Sequence, residues 1–396
     1  MNGYNFPEYR EVNSHIHTPF SFSAFDKLET VFSMARDENI SVLGINDFIV
    51  TDGYEAFNDG CIKNKIFPLF NIEFIGLLKE EQKNSIRIND PNNPGRIYFS
   101  GKGLDFPYMP GWMQRRKLNG IKKESQNQIR YMIGKINQLI EPVNPVLSLT
   151  YEDVRRKFAQ DLVRERHLAR AIRQLAVDNY ATGDEQLSFI ESLYGDKKSK
   201  AGMNNATTLE NEIRSNLLKA GGTAFVQEND SSFPELRKIM KIIVNAGGIP
   251  CYPVLLDDPT GALTEFEADK EKLDRSLSGM GIACIELIPG RNELSILRDF
   301  VEYFDKKEYI ITFGTEHNTP DIIPLTITAR GSQQLDGSLK SIGWKGACVI
   351  AAHQYLRAHG RQGYVLSDGT PSRKQKEDLT GLGQMVIEYF LNNKKL

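Results

Sequence analysis

The chain is 396 residues long, enough to bury a sizeable core as one large domain or two. Charged residues make up 25%, hydrophobic ones 40%, and the formal net charge is −2, an ordinary soluble composition with no basic excess to engage phosphate backbones. Nucleic acid is therefore not an expected partner, and the absence of any apolar run of spanning length excludes a membrane helix.

Met1-Asn2-Gly3-Tyr4 lacks a signal peptide's apolar core, and Cys61, Cys251, Cys284 and Cys348 form no Cys-x-x-Cys pair. A cytoplasmic protein without disulfides or a zinc knuckle is expected. In chain order, strand patterns fall at Val12 to His17, Val42 to Asp47, Phe67 to Glu73 and Arg96 to Ser100. Helical patterns at Asp26 to Glu38 and Tyr54 to Lys65 separate the first three. From Leu104 to Gln227 the strand signal nearly vanishes, and amphipathic helices are expected at Ser125 to Ile140, Glu152 to Leu175 and Leu209 to Lys219. Alternation resumes with a helix at Pro234 to Asn245, stopped by Gly247-Gly248. Strands follow at Ile249 to Val254, Ile282 to Ile288 and Ile310 to Thr315, with helices at Glu267 to Gly279 and Glu293 to Asp305 between them. Two tail helices lie near Gly346 to Ala358 and Lys374 to Asn392.

Strands alternating with helices predict an α/β fold with parallel strands, closed into a distorted seven-stranded (β/α) TIM-like barrel. A doubly wound open sheet is the competing topology. The expected organisation is a barrel in two parts, 1–103 and 228–322, an inserted helical subdomain at 104–227, and a helical extension at 323–396.

Side chains two apart on a strand share a face, so His15 and His17 can aim two imidazoles at one point, the arrangement that grips a metal ion. An isolated His-x-His is more often a pair of strand-end histidines bonded to loops. Here, however, His15, His17, Asp47, Glu73, Glu286, Glu316 and His317 all fall at or just past a strand's C-terminal end, the rim where barrel sites are built.

These residues carry a resemblance to the PHP superfamily, the polymerase and histidinol phosphatase domain of metal-dependent phosphoesterases. His15-Ile16-His17-Thr18-Pro19-Phe20-Ser21 resembles its first motif, Gly44-Ile45-Asn46-Asp47-Phe48 its second and Asn71-Ile72-Glu73 its third. Gly248-Ile249-Pro250-Cys251-Tyr252-Pro253 is similar to its Ala-His-Pro strand, and Phe313-Gly314-Thr315-Glu316-His317 to its last motif. Arg166-His167-Leu168-Ala169-Arg170-Ala171 is similar to a helix in the inserted subdomain of some members. The resemblance implies a metal cluster at the barrel mouth. His15, His17, Glu73 and Glu316 match the four ligands of one site, suited to one Zn, Mn or Fe ion per chain. Phe22, Phe48, Tyr252 and Tyr98 stand where further ligands are normal, and Asn318 replaces the closing His. Two-metal catalysis is therefore not expected.

Around the retained site, Asp47, Glu286 and His317 are candidates to move protons. Arg291 and Lys102 are candidates to hold a phosphate or carboxylate, and Tyr252 and Tyr98 to stack on a sugar. Plainer readings stand beside these: Asp47 as a loop cap, Arg291 and Lys102 as solvated cations, Tyr252 as packing, and His167, His353 and His359 outside any site. The sequence thus points to a hydrolase of a small phosphorylated metabolite. The alternatives are a degenerate barrel that binds a metabolite or serves as a scaffold, and metal-dependent C–N or C–O hydrolysis. The sequence gives no oligomeric state.

Overall fold

The computed structural model describes residues 7–195, 197–227, 233–319 and 321–393. Seven strands form one sheet in chain order: β1 (Val12–Ile16), β2 (Val42–Phe48), β3 (Phe67–Leu77), β4 (Arg96–Lys102), β5 (Ile249–Val254), β6 (Cys284–Leu287) and β7 (Ile310–Phe313). The sheet curls into a barrel because β7 runs back onto β1. Ile16 and Glu316 form a parallel bridge, Glu316 N donates to His15 O at 2.9 Å, and His17 N donates to Glu316 O at 2.8 Å. Every residue of β2 and β3 is buried, as in strands packed on both faces.

The alternation predicts parallel strands throughout, and the structure departs from this at β4. β4 is antiparallel to both β3 and β5, with Ser100 opposite Glu73 and Lys102 opposite Ile249. The cause lies between β3 and β4, where the only helix is the one-turn α3 (Lys79–Lys83). A segment that short cannot carry the chain across the barrel, so it returns as an antiparallel neighbour.

Helices α1 (Leu28–Asp37) and α2 (Tyr54–Asn64) cover the first strands. Beyond β4, α4 (Trp112–Ile140), α5 (Tyr151–Phe158), α6 (Glu165–Asn179), α7 (Gly183–Leu193) and α8 (Ala206–Ile213) gather around a hydrophobic cluster of their own, including Ile136, Ile172, Leu193 and Leu209. The single helix expected over Glu152 to Leu175 is broken between α5 and α6. Leu162 in the break is buried in the barrel's cluster, and Gln126 satisfies the non-helical backbone there, accepting from Val163 N at 3.0 Å. The second barrel half adds α9 (Leu236–Asn245), α10 (Lys270–Gly279) and α11 (Leu294–Lys306).

The tail helices α12 (Gly337–Ala358) and α13 (Lys376–Asn392) seal the barrel base. Trp344, Ala347, Cys348 and Ile350 share a cluster with Val42, Phe67, Ile249, Cys284 and Ile310, near the starts of five strands. A Cβ on Gly346 would sit 1.9 Å from Ile311 O, so only glycine lets α12 lie this close to β7. With the base plugged, the C-terminal ends of the parallel strands form the one open mouth of the barrel. No helix among the described residues is long and apolar enough to cross a membrane.

Candidate metal centre

The pairing of β1 with β2 shifts register between Asn13 and Ile16, and His15 near the end of the strand and His17 just past it lie buried side by side while Ile16 joins the hydrophobic cluster. His15 and His17 are fully buried, and Nε2 of one lies 3.4 Å from Nε2 of the other. Glu73 on β3 brings Oε2 to 3.6 Å from His17 Nε2. Together these three residues offer ligand atoms all within 4.8 Å of one another. Two ligands about 2.0–2.1 Å from a tetrahedral ion stand roughly 3.3–3.4 Å apart, so the separations fit a divalent metal bound by nitrogen and oxygen. Gly314 makes room for this packing, since a Cβ there would lie 2.3 Å from His15 Cβ.

The electrostatics suit the same ligand set. Burial, then the charges of His15, Arg164, Arg166 and Lys102, push His17 well below the usual histidine range, so it stays neutral as a ligand must. Burial, then the neighbouring carboxylates Glu316 and Glu286, push the Glu73 carboxyl well above its ordinary value. A cation there would relieve that repulsion. Behind His15, Glu286 Oε2 lies 3.0 Å from Nδ1, and Lys102 Nζ donates to Glu286 Oε1. Burial opposes ionisation of Glu286, but His15 and Lys102 together outweigh it and hold its carboxyl down at about 2.

Above the cluster lies a cavity of about 260 Å³. Glu73, Glu286, Glu316, Arg291 and Tyr98 line it from the barrel, and Arg164, Arg166 and Arg214 reach in from the helical segment. Arg164 lies over the Phe48 ring at 4.6 Å and over Phe22 at 5.4 Å, while Phe22 stacks on His17 at 4.4 Å. Arg164 is also 3.5 Å from Glu165. Arg166 Nη1 and Arg214 Nε, by contrast, are buried without a hydrogen-bond partner. Burial, followed by its neighbour Arg214, pushes Arg166 down to about 9. Buried guanidinium donors left unpaired favour any ligand that brings acceptor oxygens.

The other candidates divide. Glu316 lines the cavity, but its Oε2 accepts from Arg291 Nη2 and Asn318 Nδ2, and it stands outside the three-residue cluster. Tyr98 lines the cavity and is half-buried. Lys102, expected at the mouth as a substrate contact, is fully buried on Glu286 instead, because antiparallel β4 carries it toward the barrel base beside Ile249. Tyr252 is also enclosed, its hydroxyl donating to Glu267 Oε1 at 2.6 Å.

Asp47 accepts from Thr18 N at 2.7 Å, from Ser21 Oγ at 2.6 Å and from Thr18 Oγ1. It pins the loop after His17 and does not line the cavity, the plainer of its two readings. His317 is turned away from the metal cluster. Its Nδ1 pairs with Thr315 Oγ1 and its Nε2 with Ile323 O, both at 2.8 Å, and its ring stacks on Phe25. Both nitrogens are thus engaged outside the three-residue cluster, and His317 does not line the cavity. His167 accepts from Arg164 N at 3.0 Å at the start of α6, and His353 packs under Gly247.

Sequence reasoning missed Asn46, whose Nδ2 lies 3.0 Å from His15 Nδ1, and the arginines Arg164, Arg166 and Arg214. The one available signal was the motif at Arg166-His167, where the helix was noted but its arginine was not.

No protein-family model matches the chain, and no curated protein sequence matches it. Solved structures share its fold, two of them as follows. One is a candidate metal-dependent phosphoesterase from Bifidobacterium adolescentis, at 14% identity and a TM-score of 0.54, over 85% of this chain and 96% of that one. The other is an amidohydrolase from Chromobacterium violaceum, solved with bound sulfate and no metal, at 15% identity and a TM-score of 0.52, over 82% of this chain and 93% of that one.

Proposed function

We propose that the chain is a metal-dependent hydrolase of PHP type acting on a small anionic substrate, foremost a phosphoester. One divalent ion, Zn, Mn or Fe, would be held by His15, His17 and Glu73, with Glu316 as the further carboxylate. The observation that supports this reading is the opposition inside one cavity: a His/His/Glu cluster suited to a cation lies beneath two half-buried arginines, each with one buried guanidinium nitrogen that has no hydrogen-bond partner, suited to an anion. Bound there, the ion would supply Lewis acidity and lower the pKa of a water toward 7. Arg166 and Arg214 would hold the anionic oxygens, and Arg291 is placed to do the same from the barrel side. Lys102 and Glu286 fix the orientation of His15. Of the three residues proposed for proton transfer, Glu286 alone lines the cavity, and its pairing with Lys102 makes it an orienting group more than a base. A cavity of about 260 Å³ suits a small metabolite and not a duplex.

Two measurements test the proposal. Elemental analysis of protein purified without chelator or affinity tag should find about one equivalent of metal per chain, on the three-ligand-plus-one count of such sites. A panel of small phosphoesters assayed with each metal should then reveal turnover that His17→Ala abolishes together with the metal. Metal content without turnover across the panel would favour the metabolite-binding alternative. Absence of metal after loading with each ion would sink the catalytic reading.

A further inference from the structure

We infer that Glu316 is shared between two cations: Arg291 holds its carboxylate in the metal-free chain, and an ion at His15, His17 and Glu73 takes it when bound, freeing Arg291 for the substrate's anion. This rests on the metal site just proposed and deepens it.

The backbone places Glu316 beside the histidines. Glu316 N donates to His15 O and Glu316 O accepts from His17 N, so the residue is strapped to both ligand positions. It is held there in a left-handed conformation, φ 60°, followed by His317 at φ 55°. Two consecutive non-glycine residues in that region are uncommon and persist only where their surroundings impose them. Yet the carboxylate is not part of the cluster its backbone adjoins. It turns to Arg291 Nη2 and Asn318 Nδ2, both on Oε2.

Arg291 sits on a single turn, Pro289–Arg291, just after β6, and its side chain is 45% exposed where it reaches over the cavity. The protein therefore fills the carboxylate with a cation of its own. An arriving divalent ion competes for Glu316 by its greater charge, and once bound it repels the guanidinium. Arg291 then has donors to offer in the cavity where Arg166 and Arg214 already wait. Metal binding and anion binding become coupled, and the coupling is reciprocal.

The test is a double-mutant cycle on full-length, metal-free protein, titrated with Mn²⁺ by calorimetry: wild type, Arg291→Met, Glu316→Gln, and the pair. If Arg291 competes through Glu316, R291M tightens Mn²⁺ binding about tenfold, within the usual span of coupling between sites. In the E316Q background the same substitution changes affinity less than about threefold, because the contested carboxylate is gone. Equal tightening in both backgrounds would mean only long-range repulsion by Arg291, and no tightening would mean no competition. Either result overturns the inference while leaving the metal site intact. A wild-type chain that binds neither Mn²⁺ nor Zn²⁺ nor Fe²⁺ overturns the metal site itself, and the inference falls with it.

Discussion

Lys102→Met should be among the most damaging substitutions in the barrel. The ammonium is fully enclosed, and its partner Glu286 is 1% exposed. Removing the lysine leaves a carboxylate with only Ser100 Oγ at 3.3 Å and His15 Nδ1 at 3.0 Å for company. Breaking a buried pair from one side costs about 3–5 kcal/mol, because the remaining charge is stranded, whereas replacing both members by apolar groups is often neutral or better. The chain's two tryptophans make the measurement clean. Trp344 is buried against the barrel base, and Trp112, 72% exposed on the helical segment, can be silenced as Phe. Urea titration of Trp344 fluorescence in metal-free protein should show the midpoint of K102M falling by about 1–1.7 M, taking a slope near 3 kcal/mol per molar for a chain of this size. K102M/E286M should regain most of that loss. A single variant within about 1 kcal/mol of the parent, or a double variant worse than the single, would refute the argument that the pair is a mutually dependent buried unit.

Three further outcomes follow from the same geometry. His17→Ala removes one of three clustered donors and should weaken Zn²⁺ binding by about 100-fold or more, read by competition with a chromogenic chelator. If Arg214 holds the anion as proposed, Arg214→Met should raise KM for the best phosphoester about tenfold while changing kcat far less, since Arg214 is not among the clustered metal donors. Burial pushes Glu267 from an ordinary 4.5 up to about 7, even though Tyr252 and the backbone of Leu255 and Leu256 donate to it. An acid whose folded pKa is raised binds its proton more tightly in the folded state, so its stability contribution is complete below about pH 4.5 and is lost as pH rises through 7. The wild type should lose about 3 kcal/mol relative to Glu267→Gln across that window and run parallel to it above, and parallel curves throughout would contradict this.

How much of this could be read from the sequence depends on whether the signal was local. His15 and His17 are expected on one face from their two-residue spacing, and Glu73 is expected at the rim as the end of a strand, although β3 runs on to Leu77 against the antiparallel β4. The structure brings these three together. Lys102 was misplaced because the direction of β4 is set by what precedes it: a one-turn helix and a run of turn formers read as a loop do not reveal an antiparallel return. Arg166 and Arg214 carry no local pattern that distinguishes them from other helix charges, and it is the folding of the helical segment, with Leu162 anchored in the barrel's cluster, that brings them to the cavity. His317 carries the same local pattern whether or not it faces the site. Its left-handed backbone and the acceptor at Ile323 decide that it does not.

The antiparallel strand that defeated the reading is also what prepares the site. Because β4 runs backward, Lys102 stands at the foot of an interior column, Lys102–Glu286–His15, leading from the plugged base to the metal cluster. A fixed positive charge at the foot keeps Glu286 ionised. An ionised Glu286 at 3.0 Å favours a proton on His15 Nδ1, which leaves Nε2, 3.4 Å from His17 Nε2 and 3.0 Å from Asn46 Nδ2, as the ligand atom once His15 is neutral. The column thus favours the tautomer a ligand needs, and Glu286 is its one member that also lines the cavity. The mouth is left free for the opposite task, collecting positive charge in Arg166, Arg214 and Arg291. Arg166 and Arg214 come from a different part of the chain than the column, so a change at either should alter which anion is accepted with little effect on how the cation is held, whereas Arg291 touches both tasks through Glu316.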